Sequence, residues 1–384
     1  MFELFLFSLT NSGGNIKAYF LIGVLGILSI FWNIYKLQGK KIKKKYFFNK
    51  SFLLLVLFCF FYSIHFKTFE DIFYYFFFPL IAYLAGVFFF IVNERRNVDI
   101  VYRITNISVC GFGIHAFMNY IINQGNSRNL LVDFYSGSLR SATCTGPINT
   151  LIFSLVIYFF LIEKNRKYKI RGVICLIVSI LYAFRLGTRT QFIILLMNTL
   201  IILLIRAWEK GKILKILKVL LMCVLLVIVI YLLYRSNIFN IATFINNSNL
   251  GMRYSNEFGT SYSDATRQER FVEGVVNIFL YPWGKPNQLF YHNLWLDISR
   301  VAGIIPFFLM SAYTIIIGKK VINIFFNKKN NIRDRYIILS VFIGFIMNFF
   351  VEPAIESMFD IVLWFLMFNG LIVCIHSMYK YKKI

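Results

Sequence analysis

The chain has 384 residues, of which 59% are hydrophobic and 19% aromatic, and its formal net charge is +24 at pH 7. Soluble domains are only about 45–50% apolar, so the composition excludes a soluble enzyme and indicates a membrane protein. The basic excess then reports membrane orientation rather than nucleic-acid binding, because cytoplasmic loops of membrane proteins are enriched in Lys and Arg.

Apolar segments follow one another from the start of the chain to its end. The first segment, MFELFLFSLT, lacks a basic n-region and predicts an interfacial or half-inserted segment rather than a cleavable signal peptide. A membrane helix needs about 20 apolar residues, and by this criterion we predict an all-α transmembrane bundle of about eleven helices (10–12) in one membrane domain, 1–384. The predicted spans are 18–37, 51–66, 72–92, 101–122, 147–162, 172–187, 190–206, 219–234, 293–317, 336–352 and 358–377.

Basic connectors alternate with the other connectors along this series, which predicts that the N-terminus lies outside and the C-terminus in the cytoplasm. The connectors assigned to the cytoplasm are 40–50, 93–97, 163–171, 206–218, 318–335 and 379–383. Two long connectors then lie outside, namely 123–146 and a large loop, 235–292, between helices eight and nine. Because the cytoplasmic connectors are short, we expect any chemistry to face outward.

Several kinds of catalytic site are missing from the sequence. It contains no GxxxxGK[ST] or GxGxxG phosphate motif, no HExxH and no DxD pair, and it has only four His. The six Cys show no paired spacing and fit small buried residues. We therefore expect a reaction that uses no metal, nucleotide or other cofactor, and no nucleic acid as a partner.

The large outer loop 235–292 predicts an amphipathic helix. Asp264 or Thr266 can cap it, and Thr266 with Glu269 fits the capping-box pattern. Apolar residues then recur at helical spacing until Pro282 and Gly284, which favours a helix lying at the membrane interface. The apolar residues are Phe271, Val272, Val275, Val276 and Phe279, and the surrounding rings that could stack on sugars or form an interfacial aromatic belt are Tyr254, Tyr262, Tyr281, Trp283 and Tyr291.

The stretch YHNLWLDISRVAGIIP (291–306) places polar residues at the start of the ninth span. Asn293, Asp297 and Arg300 share one helical face, and Gly303 lies near the face of His292, where a ligand or another backbone could approach closely. An ionisable residue in a membrane helix costs about 2.5–3.5 kcal/mol on insertion scales, so these residues are expected to face a protein interior or a water-filled cavity. The alternative is an Asp297–Arg300 pair that neutralises itself, with His292 and Asn293 as a simple helix start.

Six arginines are predicted at the outer membrane surface, against the usual positive-inside bias. The guanidinium group pairs bidentately with phosphate oxygens, so a lipid-linked phosphate or diphosphate is the expected partner. Anionic lipid headgroups are the alternative. The six residues are Arg140, Arg185, Arg189, Arg267, Arg270 and Arg300.

The order of these parts resembles the bacterial O-antigen polymerase and O-antigen ligase superfamily. Its ligases carry a signature that His292, Asn293 and Gly303 match, whereas Ile305 departs from its last position, and Arg189 matches an Arg-x3-Leu feature in which Ile193 replaces Leu. Two further motifs of the family look like segments of this chain: Arg267 followed by Pro282-Trp283-Gly284, and Arg140 followed by Thr145, Gly146 and Asn149.

The resemblance implies a multi-pass protein of the bacterial plasma membrane that joins undecaprenyl-diphosphate-linked repeat units into O-antigen, capsule or exopolysaccharide. It implies that His292 is the base for the attacking hydroxyl, with Glu352, Glu356 or Asp297 as alternatives. The substrate is then bound by Arg140, Arg185, Arg189, Arg267, Arg270, Asn293, Asp297 and Arg300. A chain-length regulator and a flippase of the same pathway would be further partners.

Two other functions stay open at this stage. The first is an O-antigen ligase, which transfers the glycan to a lipid A core; the departures at Ile193 and Ile305 favour a polymerase instead. The second is an exporter of lipid-linked glycans, which is expected to have charges through the full membrane depth and two related halves. The sequence shows neither feature.

Overall fold

The protein is described here by a computed structural model covering residues 1–13, 16–37, 49–94, 99–126, 130–211 and 262–381, together with residues 46, 232, 235–237 and 243. Apart from one isolated bridge between Val132 and Leu139, the described residues form helices, turns and loops. The helices are α1 (Phe2–Thr10), α2 (Ile16–Tyr35), α3 (Lys50–Ser63), α4 (Phe69–Glu94), α5 (Ile100–Ile122), α6 (Ala142–Thr145), α7 (Thr150–Ser154), α8 (Arg166–Leu186), α9 (Arg189–Glu209), α10 (Tyr262–Leu280), α11 (Leu294–Ala302), α12 (Ile304–Phe326), α13 (Ile332–Val351), α14 (Ala354–Ser357) and α15 (Phe359–Tyr381).

The predicted membrane-spanning character is confirmed by helix length and composition. Among the described residues, five helices are long and apolar enough to cross a bilayer, within α4, α9, α12, α13 and α15. Shorter apolar helices occur at Phe20–Tyr35, Lys50–Ser63 and Gly146–Ile162. The predicted span 219–234 lies outside the described residues except for residue 232, as does most of 235–261, so the number of eleven helices stays a prediction.

The most buried spanning helix is α15, which packs along α4. Glycines allow the two backbones to approach closely: a side chain at Gly86 would collide with the Met367 carbonyl, and one at Gly370 with the Tyr83 carbonyl. Trp364 of α15 is fully buried and donates its indole N–H to Ser108 Oγ at 2.8 Å. Small residues at such crossings are typical of membrane helix packing, so α15 forms the centre of the bundle. The N-terminal helix α1 packs beside it and against α2 and α5.

The prediction of one helix over 293–317 is wrong. The chain forms α11, breaks at Gly303, and continues as α12. Gly303 has φ 83° and ψ −165°, a conformation that essentially only glycine adopts. Asp297 and Arg300 therefore lie on a separate nine-residue helix before the spanning helix, and His292 and Asn293 lie at its start. The predicted span 147–162 is likewise divided, into a 3₁₀ turn (Gly146–Asn149), α7 and a π-helical turn (Tyr158–Ile162).

One end of the bundle brings together segments that are far apart in sequence. Arg140 donates to the Ser357 carbonyl at 3.1 Å, and Arg300 forms an ion pair with Glu356. Thr190, in the first turn of α9, donates to Glu352 at 2.9 Å. We call this the site end, defined by α11, α14, the first turn of α9 and residues 130–141. Most of the residues that the sequence analysis selected meet here.

Candidate functional site

The short helix α11 begins with an N-cap whose hydrogen bonds fix the backbone around His292. Asn293 is the N-cap, and its Oδ1 accepts hydrogen bonds from the N–H groups of Trp295 and Leu296, both at 3.1 Å. Asp297 reaches back and accepts from the N–H groups of Tyr291, at 2.8 Å, and Asn293, at 3.1 Å. His292, held between them, has φ 56°, which is rare for a residue other than glycine. Asp297 and Asn293 therefore act as positioning residues for His292.

Arg300 is buried, and its guanidinium donates hydrogen bonds to backbone carbonyls of the loop before α11. Nη1 donates to the carbonyls of Pro286, at 2.7 Å, and Gln288, at 3.1 Å, while Nη2 bonds Glu356. Nε lies 3.5 Å from Asp297 Oδ1. The Asp297–Arg300 pair that the sequence left as an alternative is thus present. Both side chains face the protein interior, which is one of the two environments expected for them, and both make internal contacts. The reason is the tight 285–292 loop, whose carbonyls need donors.

The Nδ1 atom of the His292 side chain is buried and has no hydrogen-bond partner among the described residues. Burial, and second the positive charge of Arg267, lower the pKa of His292 from 6.5 to about 4. His292 is therefore neutral at neutral pH, with a ring nitrogen able to accept or donate a hydrogen bond. An unpaired buried polar atom beside a cation is typical of a functional site.

The coupling between Arg267 and His292 can be measured directly. We expect Arg267→Gln to raise the pKa of His292, because one of the two causes of its depression is removed while burial remains. NMR titration of the protein with isotopically labelled histidine, in a lipid nanodisc, measures this value. Arg270→Gln is the matched control, one turn further along α10, where Arg270 pairs with Glu273 at 2.9 Å. An equal rise in both variants would show that Arg267 does not act on His292 specifically.

The predicted amphipathic helix is present as α10, and it packs on α11. Ile278 contacts Tyr291 and Leu296 in a small buried cluster. Asn277 donates to the Tyr291 hydroxyl at 2.8 Å. Phe271, Val272, Val275, Val276 and Phe279 are each at least 41% exposed, which gives the helix an apolar face suited to a membrane interface.

The turn after α10 docks on the break between α11 and α12. The Ile304 N–H donates to the Pro282 carbonyl at 2.9 Å, and the Lys285 N–H donates to the Arg300 carbonyl at 2.6 Å. A side chain at Gly303 would collide with the Pro282 carbonyl oxygen. The close approach expected at Gly303 is therefore made by another segment of backbone. The Pro-Trp-Gly turn and Gly303 together set the position of α10 over α11.

An apolar groove of about 640 Å³ runs between α10, α11, α12 and α13. Asn293, which follows His292 in sequence, is one of its lining residues, and the lining is almost wholly hydrocarbon and aromatic. The lining residues are Phe271, Val275, Ile278, Phe279, Asn293, Trp295, Leu296, Phe307, Phe308, Ser311, Thr314, Ile315, Gly318, Phe342, Ile346 and Phe350. A groove with this lining, in a chain of membrane helices, can hold a lipid chain alongside His292.

The remaining predicted arginines are distributed around the site end rather than clustered at His292. Arg185 donates to the carbonyls of Asn123, at 2.6 Å, and Asn126, and so ties α8 to the turn after α5. Arg189 begins α9 after Gly187, which ends α8 in the left-handed conformation at φ 67°. Arg140 contacts residues 138 and 357. Of the six arginines, Arg267 is the one whose charge acts on His292.

Glu352 and Glu356, two of the three alternative bases, occupy different surroundings, and the third, Asp297, is buried. Glu352 is 1% exposed and accepts a hydrogen bond from Thr190. Glu356 is 24% exposed at its side chain and pairs with Arg300. Burial raises the pKa of Glu356, although the Arg300 charge opposes this effect. Glu356 is therefore the alternative base with access to the surface.

A buried polar cluster at the site end had no signal in the sequence. His115 of α5 lies 2.8 Å from Asp133 Oδ2, and its other ring nitrogen lies 2.9 Å from the Thr10 carbonyl. Burial opposes ionisation of Asp133, but hydrogen bonds from His115, Asn119 and residue 136 outweigh it and hold the pKa of Asp133 well below its usual range. Both side chains are at most 1% exposed. The cluster links α1, α5 and the 130–141 segment by hydrogen bonds and so stabilises the position of that segment at the site end.

The described residues contain no group of three or more His, Cys, Asp or Glu arranged to hold a metal ion. Comparison with protein-family models and with curated protein sequences finds no match for this chain.

Proposed function

We propose that this chain is a glycosyltransferase that polymerises undecaprenyl-diphosphate-linked oligosaccharide repeat units at the outer face of the bacterial plasma membrane. The observation that carries this proposal is the apolar groove whose lining includes Asn293, the residue that follows a neutral His292 on which the charge of Arg267 acts. A lipid-diphosphate-linked sugar has the three matching parts: a long hydrocarbon, a doubly charged phosphate group and a reactive sugar carbon. The product is O-antigen, capsule or exopolysaccharide.

In this proposal the polyprenyl chain lies in the groove and the diphosphate lies near Arg267. The hydroxyl of an acceptor sugar attacks the anomeric carbon of the donor glycan, and a new glycosidic C–O bond forms. The C–O bond to the diphosphate breaks, and the diphosphate leaves with the electron pair. His292 accepts the hydroxyl proton, while the positive charge of Arg267 stabilises the negative charge that develops on the leaving group.

The remaining residues of the site end position these groups. Asn293 and Asp297 fix the backbone of His292, and Arg300 holds the preceding loop closed over it. The orientation that the proposal needs has the site end, the N-terminus and the long loops outside, and the C-terminus in the cytoplasm. It agrees with the alternation of basic connectors. A flippase would deliver the substrate to this side, and a chain-length regulator would act on the product.

Deletion of this chain in its host provides the test. We expect the long-chain polysaccharide ladder to disappear while single repeat units remain attached at the cell surface, because synthesis and export of each unit continue. Gel electrophoresis of the surface glycan measures the ladder, and expression of the intact chain from a plasmid restores it. Loss of all attached polysaccharide would instead indicate a ligase or an exporter, and an unchanged ladder would remove the proposal.

A further inference from the structure

A second cavity, of about 570 Å³, lies at the site end and shares no lining residue with the apolar groove. The start of α4 supplies one wall, with Glu70, Asp71, Tyr74 and Tyr75. Arg140 and Glu356 also line it. Unlike the groove, it combines aromatic rings with several charged groups, which is the pattern of a site for a polar ligand.

Several polar groups that line this cavity can form further hydrogen bonds with a ligand. Glu70 is exposed, and among the residues that the structure describes neither its carboxylate nor the Tyr75 hydroxyl makes a hydrogen bond, although the charges of Asp71 and Glu356 act on Tyr75. Glu356 uses Oε1 for Arg300, and a carboxylate has acceptor sites on both oxygens. Hydroxyl groups of a ligand can donate to these acceptors, and Tyr75 can donate in turn.

The aromatic walls are held rigidly. The ring of Tyr74 lies 4.5 Å from that of Phe359, and the ring of Tyr75 stacks on Phe66 at 4.4 Å. A pyranose ring presents C–H groups on its faces and hydroxyls around its edge. Aromatic rings beside carboxylates offer complementary contacts to both parts of such a ring.

The charge balance of the cavity distinguishes a sugar from a phospholipid headgroup. Three carboxylates, of Glu70, Asp71 and Glu356, line the cavity with one guanidinium, of Arg140, and a second guanidinium, of Arg300, pairs with Glu356 from outside the lining. In a protein with 41 basic and only 17 acidic residues, this is a local excess of negative charge. It repels phosphate groups, so it favours a neutral or amino-bearing glycan and disfavours the diphosphate of the proposed donor.

We propose that this cavity binds the sugar end of the acceptor repeat unit, an inference that rests on the proposed polymerase function. Glu356 connects the two sites, because it lines this cavity and pairs with Arg300 of α11, while Asn293, Trp295 and Leu296 of the same helix line the groove. The short helix α11 thus separates the donor lipid from the acceptor sugar. The acidic wall keeps the two lipid-linked substrates, which are chemically alike, in different places.

The test measures binding of a free oligosaccharide to the full chain in lipid nanodiscs. The probe is the single repeat unit, prepared by partial hydrolysis of the host's surface polysaccharide, and calorimetry or saturation-transfer NMR gives its affinity. We expect Glu70→Gln and Tyr75→Phe each to weaken binding about fivefold, the worth of one hydrogen bond. Both changes are isosteric, so the fold is retained. Glu269→Gln, an exposed carboxylate on α10, is the matched control and leaves the affinity unchanged.

Three results would overturn the inference. They are the absence of oligosaccharide binding to the intact chain, equal affinity in all three variants, and displacement of the oligosaccharide by phosphatidylglycerol in the nanodisc, which would indicate a lipid headgroup site. These outcomes are separate from those of the deletion experiment. A lost ladder with unchanged affinity in Glu70→Gln and Tyr75→Phe would remove the acceptor site and leave the polymerase proposal standing.

Discussion

Gly303→Ala is expected to lower the apparent melting temperature of the purified protein far more than Gly125→Ala. Both glycines have a positive φ, 83° and 88°, and backbone strain of this kind costs about 1–3 kcal/mol for a residue with a side chain. Only at Gly303 would the new methyl group also collide with the Pro282 carbonyl; at Gly125 nothing lies within 4 Å. The difference between the two variants therefore isolates the docking of the Pro-Trp-Gly turn.

The collision forces that turn away from α11. The hydrogen bond between the Ile304 N–H and the Pro282 carbonyl is then lost, and α10, which leads directly into the turn, shifts with it. We expect the polysaccharide ladder to disappear in Gly303→Ala and to remain in Gly125→Ala. Thermal unfolding followed by fluorescence at one scan rate, in the same lipid, measures the first effect. Equal shifts in the two variants would mean that α10 is held by other contacts.

The break at Gly303 shows why the sequence predicts where membrane spans lie better than it predicts where a helix is interrupted. The residues Ile304 and Ile305 continue the apolar run, so composition predicts one uninterrupted helix. The cause of the break is the backbone of residues 282–284, and such a tertiary contact has no signature in the local pattern. The membrane spans themselves follow from apolar length alone, which is why α4, α9, α13 and α15 lie close to their predicted positions.

At the site, too, contacts between residues close in sequence could be predicted, whereas contacts between distant residues could not. The i,i+3 spacing of Asp297 and Arg300 anticipated their contact, and the residue type of Asn293 suits the N-cap that it forms. The carbonyl partners of Arg300 in the preceding loop, and its ion pair with Glu356, 56 residues away, could not be read from spacing. His115 and Asp133 likewise belong to no motif, and only the fold brings them together.

The depressed pKa of His292 has a consequence for the proposed reaction. A base with a pKa of about 4 takes a proton poorly at neutral pH, because general-base efficiency is best when the pKa lies near the working pH. Part of the depression comes from the charge of Arg267, and a diphosphate bound there would offset that charge. Donor binding would then raise the pKa of His292 and make it a stronger base only when the leaving group is in place.

This coupling predicts different pH profiles for the two kinetic constants. A base must be unprotonated, so activity is lost as the pH falls through its pKa. The ratio kcat/KM reports the free protein and kcat reports the complex. We therefore expect the acid limb of kcat/KM near the pKa of about 4, and that of kcat at higher pH. Turnover of purified lipid-linked repeat units in nanodiscs measures both.

His292→Gln is the variant that decides whether this residue takes the proton. Glutamine can still hydrogen-bond but is no base, and general-base catalysis contributes about 10²–10⁴-fold, so kcat is expected to fall by that factor while KM changes little. His65→Gln is the matched control: His65 lies in the turn after α3, contacts the Phe61 carbonyl at 2.9 Å, and has no place in the proposed reaction. A normal rate and an unchanged kcat profile in His292→Gln would assign the proton to another group. Glu356, which pairs with Arg300 and lines the proposed acceptor cavity, would then be the first residue to substitute.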